Sequence, residues 1–171
     1  MRYTVSAFLF TAVWLAAGLS QAAPGGNNNN TTSTATANVT ANVVAPIGVS
    51  KTSDLSFGDF TADSAACTVA INSAGAQNIT GNCASLSSGT PSAAVFAVSG
   101  SGNRSFTTNV AAASANLSDG AGHTMPLTLQ NNAPTHLTNG AATIAVYGSL
   151  AVAANQVAGA YSDTVTVTVA Y

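Results

Sequence analysis

From Ala35 to Val49 the chain alternates. Ala35, Ala37, Val39, Ala41, Val43, Ala45, Ile47 and Val49 take every second position, and Thr or Asn fills most of the places between them. A period of two belongs to a strand, which turns successive side chains to opposite faces; on a helix the same residues would be spread around the whole cylinder. The segment therefore reads as extended chain. Pro46 has no N–H to give to a ladder, so it divides two strands or marks an edge.

The remainder continues in the same manner. Leu55-Ser56-Phe57 alternates up to Gly58, Cys67 to Ile71 alternates up to an Asn-Ser-Ala-Gly turn, and Ala94 to Val98 runs into Ser99-Gly100-Ser101-Gly102-Asn103. Met125 to Gln130, Ala142 to Val152 and Thr164 to Tyr171 read as further strands. In the last of these Val165, Val167, Val169 and Tyr171 share one face, while Thr164, Thr166 and Thr168 share the other. Alanine enrichment predicts a helical turn over Val110 to Ala115 and nothing longer. Short strands parted by Gly, Asn and Ser turns predict an all-β fold, an antiparallel β-sandwich.

The chain begins with a different pattern. Arg2 precedes an uncharged apolar run from Ala7 to Leu19, and Ser20 and Ala22 place small residues at the −3 and −1 positions of a cleavage site. The run is too short to span a bilayer and matches the hydrophobic region of a secretory signal peptide, here residues 1–22. Residues 23–34, APGGNNNNTTST, have nothing to bury and read as a flexible polar leader. The predicted organisation is therefore a signal peptide at 1–22, a polar leader running into an extended strand at 23–44, and one domain at 45–171.

Export gives the cysteines their meaning. In an oxidising compartment Cys67 and Cys83 are most simply a structural disulfide closing a short loop. A redox or metal pair lacks support, because no CxxC spacing exists and neither His123 nor His136 stands at ligand spacing to a cysteine.

Chemistry is sparse. Only 5% of the residues are charged and the net charge is −2, which provides no footprint for nucleic acid or an anionic membrane. Five acidic residues, all Asp, and two His do not furnish a catalytic centre, and no nucleophile-elbow pattern surrounds any Ser. Gly100-Ser101-Gly102 lacks the following helix of a phosphate loop and reads as a hairpin turn. The expectation is a protein that is not an enzyme, needs no cofactor or metal, and does not insert in a membrane once its signal is removed.

Several stretches together resemble a family of secreted bacterial proteins known as domain of unknown function 4402. They are Pro46-Ile47-Gly48-Val49 with Asp54-Leu55-Ser56-Phe57-Gly58, then Ala94 to Gly100, then Leu150 to Gln156, Ala158 to Asp163 and Val165 to Tyr171. Together they cover nearly all of residues 35–171. The chain differs at Val146-Tyr147-Gly148, where the family shows paired glycines. The family is itself similar to spore-coat-U-like proteins and to chaperone–usher pilin subunits.

That resemblance implies an immunoglobulin-like sandwich that is incomplete and is completed by a strand from a neighbouring subunit, the mode of recognition in which a peptide adds to an open sheet edge. It implies as partners identical or related pilin subunits, a periplasmic chaperone and an outer-membrane usher. The alternating residues Ala35, Ala37, Val39, Ala41 and Val43 form the candidate donor strand, although an ordinary first strand would show the same period. Val165, Val167, Val169 and Tyr171 form the strand that faces chaperone or subunit. The expected function is a structural subunit of a surface fibre, a fimbria or pilus with a role in adhesion or biofilm. Such a subunit would pass through the periplasm to the surface or surroundings of a Gram-negative bacterium. The rivals are a monomeric secreted binding module and a self-complemented envelope or coat protein.

Overall fold

The computed structural model describes residues 32–171. The predicted signal peptide and the leader as far as residue 31 lie outside the described residues. By its contacts the chain divides into two units, Met1–Ala41 and Asn42–Tyr171. Among the described residues, all the sheet structure lies in the second unit.

Among the described residues eleven strands follow one another: β1 (Gly48–Ser53), β2 (Phe60–Thr61), β3 (Cys67–Ile71), β4 (Gln77–Gly81), β5 (Ala84–Ser85), β6 (Ala94–Ser99), β7 (Thr107–Ala112), β8 (Asn116–Ser118), β9 (Thr124–Asn131), β10 (Ala141–Val152) and β11 (Val165–Ala170). All pairings are antiparallel. The domain is thus an all-β, sandwich-like fold, as the alternation predicts.

The twelve-residue β10 is the hub. On one edge it pairs with β6 through Ala141 to Val146 and then with β3 through Gly148 to Val152. On the other it pairs with β9 through Val146 to Leu150. β1 extends the sheet beyond β6, β4 extends it beyond β3, and β8 lines up on β9. Gly148 is paired on both sides, and a Cβ there would lie only 2.1 Å from the Thr128 carbonyl oxygen. Only glycine lets the two strands approach so closely. The position at which the chain departs from paired glycines is therefore strand interior.

A second layer is made by β7 and β11, paired from Val165↔Ala112 to Ala170↔Thr107. Here the structure corrects the sequence reading: Val110 to Ala112, expected in a helical turn, belongs to strand β7. The helical preference of alanine is a few tenths of a kcal/mol per residue, and pairing along a six-residue ladder with Val110 packed on the core outweighs it. Leu55-Ser56-Phe57 likewise contributes only one isolated bridge, Ser56↔Ser92.

The interior is apolar, with no buried polar or charged side chain among the described residues. It has two centres. Phe96, Val98, Phe106, Leu137, Ile144, Val146 and Val167 form one, under β7 and β11. Phe57, Val69, Ile71, Met125, Leu150 and Val152 form the other, at the opposite end. Cys67 and Cys83 are joined by a disulfide, with 5.8 Å between their Cα atoms. It ties the start of β3 to the second residue beyond the end of β4, and Gly81, at φ 99°, turns the chain between them.

The alternating segment behaves differently from an ordinary first strand. Residues 32–47 form no strand, and ladder pairing begins at Gly48, two residues past Pro46. Val39 and Val43 are 96% and 95% exposed.

An open apolar seam between the sheet edges

The candidate site is built by two stretches of chain. One wall runs from β1 through residues 55–62. The other runs from residues 156–161 into β11. At one end the walls are tied together by the Asn155 N–H, which donates to the Asp63 carbonyl at 2.7 Å; Asn155 adopts φ 54°, a conformation Asn tolerates better than most residues. At the other end the Tyr171 hydroxyl accepts the Ser101 N–H at 2.6 Å. Gly100 lies under that hydroxyl, where a Cβ would sit 2.2 Å from it. Ser99 pairs with Gly48, so β11 finishes beside the start of β1. The walls therefore run in opposite directions.

Between them no ladder forms. β1 pairs only with β6, and β11 only with β7. The two are neighbours in space, yet each has a ladder partner on one edge only. The register shows what is left uncovered. Val49 lies opposite Val98 and Lys51 opposite Phe96, so both project from the inner face of β1. Val98 and Phe96 are buried, whereas Val49 remains 38% exposed and the Lys51 side chain 57% exposed. On the facing wall Val167 is buried and Val165 and Val169 are half-buried, packed with Ile47 around the first core centre.

Farther along, the walls part to form a cleft of about 710 Å³. Its floor is Met125, Leu150 and Leu117, its walls carry Phe57, Phe60 and Tyr161, and Leu86 and Val157 stand exposed at its rim. Few polar groups enter it. The Gln156 Nε2 donates to the Tyr161 hydroxyl at 2.9 Å, which in turn donates to the Val157 carbonyl at 2.7 Å. The Asp59 carboxylate accepts from the Ser88 hydroxyl at 2.7 Å. These groups hold their own wall in shape.

The sequence-predicted residues are placed as follows. Val165, Val167 and Val169 line the seam on one face of β11, with Thr166 and Thr168 outward. Tyr171 is 47% exposed and closes the end of the seam. Ala35, Ala37, Val39, Ala41 and Val43 are all exposed and belong to no sheet. Reading the sequence missed the cleft walls as a site, although Leu55-Ser56-Phe57-Gly58 and Gln156 to Tyr161 stood among the segments that carried the family resemblance.

A separate polar feature occupies the turn between β8 and β9. The Asp119 carboxylate accepts from His123 Nδ1 at 2.6 Å and from the N–H groups of Ala121 and His123 at 2.8 and 3.0 Å. The His123 side-chain hydrogen bond, assisted by these N–H groups, holds the Asp119 carboxyl below its usual pKa. Gly120 and Gly122, both at positive φ, let the chain wrap around this carboxylate. Among the described residues no group of three or more His, Cys, Asp or Glu could hold a metal ion.

A sandwich-like β domain with an unpaired apolar seam defines the class. Over residues 47–171 the chain matches the family described as Domain of unknown function (DUF4402), and it belongs to that family. The match starts at Ile47, so the exposed alternating segment lies before it. No curated protein and no solved structure matches the chain.

Proposed function

We propose that this chain is a structural subunit of a bacterial surface fibre, assembled by adding a strand from a neighbouring subunit to the seam between β1 and β11. The observation that carries the reading is the coincidence of two things along one line. Unpaired edges flank the seam, and the inner face beside them, apolar except for Lys51, is only partly covered. An extended segment placed there would gain ladder hydrogen bonds, each worth about 0.5–1.5 kcal/mol net, and would cover the exposed inner face. Open edges of this kind invite indiscriminate association unless something covers them. On this reading the domain is an incomplete immunoglobulin-like sandwich, a periplasmic chaperone and outer-membrane usher protect and deliver it, and identical or related subunits complete it at the surface of a Gram-negative cell. Its 5% charge leaves little repulsion between stacked copies.

A secreted binding module is the second reading, and the 710 Å³ cleft with its aromatic walls favours it over a self-complemented coat protein. Negative-stain microscopy of cells expressing the chain with its genomic neighbours separates the readings. Fibres that incorporate an epitope-tagged copy support the subunit. A chain that stays monomeric after export, with β11 amides exchanging as unpaired edge, overturns it.

A further inference from the structure

Thr138-Asn139-Gly140-Ala141 leads into β10, and Asn139-Gly140 is the one Asn-Gly step in the sequence. It forms a two-residue hairpin turn: Thr138 and Ala141 exchange both backbone hydrogen bonds, at 2.8 and 3.1 Å, and the residues between them have φ 52° and 82°. Positive φ at both central positions is the turn that Asn-Gly favours. The same dipeptide is chemically labile. A deprotonated glycine nitrogen attacks the side-chain carbonyl carbon of the preceding asparagine. The new C–N bond closes a five-membered imide, and the side-chain nitrogen leaves as ammonia, carrying a proton that offsets the one given up by the glycine N–H. Water then opens the imide at one carbonyl or the other, leaving aspartate or isoaspartate. Glycine permits this closure because it sets no side chain in the way. No reagent beyond water is needed.

We infer that Asn139-Gly140 is a modification site which the folded chain holds unreactive, and that its conversion to isoaspartate in an opened chain prevents the native turn from re-forming. Three hydrogen bonds fasten the turn to residues 100–103. The Gly140 N–H donates to the Gly102 carbonyl at 2.7 Å, the Gly100 N–H donates to the Gly140 carbonyl at 2.9 Å, and the Asn139 N–H donates to Asn103 Oδ1 at 2.7 Å. The reacting group is the Gly140 nitrogen, and a hydrogen bond made by its neutral N–H disfavours the anion that must attack. That anion would face the negative end of the Gly102 carbonyl dipole. Closing the imide also requires the peptide between Asn139 and Gly140 to rotate, which breaks the bond to Gly102. Room for such a rotation is small, since a Cβ on Gly140 would lie 2.8 Å from the Gly100 carbonyl oxygen.

The clamp is itself anchored. The Ser101 N–H donates to the Tyr171 hydroxyl at 2.6 Å, and the fully buried Leu137 lies under Gly100, whose Cβ would come within 2.7 Å of its side chain. Asn139 is exposed, so water reaches its side chain in the folded protein and the backbone alone withholds the reaction. Opening of the turn, locally or with the whole chain, releases it. The two products then differ. Aspartate keeps the backbone length and is tolerated at positive φ. Isoaspartate carries the chain through its side-chain carbon and so adds a backbone methylene, and a two-residue turn no longer joins its strands in register. The strand beyond is the start of β10, where Ala141 to Val146 pair with β6. The reaction thus turns a long-lived opening into a loss that refolding does not repair.

The test ages the exported chain, disulfide intact, in mildly alkaline buffer, with one sample folded and another unfolded in guanidinium chloride. Conversion at Asn139 is followed by peptide mass spectrometry, with fragmentation that separates the two products. The folded chain is expected to react at least about tenfold more slowly, because only its opened population is competent. Asn103→Ala removes the acceptor of the Asn139 N–H. It should speed the folded reaction about two- to tenfold, the factor for one net hydrogen bond, and leave the unfolded rate unchanged. On dilution from denaturant, the refolded fraction should be depleted of isoaspartate and not of aspartate. Equal rates in the folded and unfolded samples overturn the masking, as does a folded Asn103→Ala chain no faster than wild type. Absence of conversion at Asn139 in the unfolded sample overturns the site, and isoaspartate chains that refold as well as unmodified ones overturn the block.

Discussion

Val167→Asp is the substitution that tests the architecture most directly. Val167 is 9% exposed and packs among Phe96, Val98, Ile144 and Val146, in an interior without a buried polar side chain. Losing the buried valine costs about 1.5–3 kcal/mol. An uncharged polar replacement, Val167→Asn, adds about 1–3 kcal/mol for an amide without a partner. The carboxylate adds more, because in an apolar site it ionises only at raised pH, and each unit of that rise is worth about 1.4 kcal/mol. The sign follows from linkage. Below about pH 3.9 the carboxyl is protonated in both folded and unfolded chains, so Asp and Asn variants are similar. As pH rises the unfolded chain ionises first, and the Asp variant falls progressively behind until the raised folded pKa is passed. Against a total stability of about 5–15 kcal/mol, the Asp variant at neutral pH retains little or none. Urea denaturation of the disulfide-intact chain near pH 3 and near pH 7 measures this, with Thr166→Ser on the outward face as a control within about 0.5 kcal/mol of wild type. A Val167→Asp protein within about 1 kcal/mol of wild type at neutral pH would refute the placement of β11 over the core.

Three other outcomes are expected. Mass spectrometry of exported protein should find no free thiol, and replacing Cys67 or Cys83 by Ser should cost about 2–5 kcal/mol in denaturant midpoint analysis. Gly148→Ala should destabilise by about 1–3 kcal/mol or more, because its Cβ meets the Thr128 carbonyl and neither strand can yield without loosening β10; an unchanged midpoint would contradict the close approach. In the turn between β8 and β9 the depressed Asp119 pKa means that the stabilisation is complete above the ordinary carboxylate range and is lost as pH falls through the folded value. The protection of the Ala121 and His123 amides, relative to the intrinsic exchange rate at each pH, should therefore fall in acid, and His123→Ala should move that acid transition toward higher pH.

Period-two alternation determined the fold class, because a strand is the only regular structure that places such residues on one face. It located β3, β6 and β11 to within a residue or two; β9 and β10 were found as strand candidates between turns, and in β10 Ile144, Ala145 and Val146 are buried in succession rather than alternately. Val167 could be assigned to an inward face before any partner for it was known, and Cys67 and Cys83 could be paired because an oxidising compartment leaves few other uses for two cysteines. Alternation says that a segment has an apolar face and not what covers it. Val39 and Val69 look alike in sequence, yet Val69 lies between β10 and β4 at 0% exposure while Val39 is 96% exposed. The alanines after Val110 were drawn into β7 by a partner more than fifty residues away, which local propensity cannot register. The cleft walls were invisible for the same reason. Residues 55–62 and 156–161 have no shared pattern, and they meet only because β1 and β11, the first and last strands among the described residues, are carried to opposite sides of one seam. Sequence fixes which faces are apolar; long-range pairing decides which of them are left uncovered.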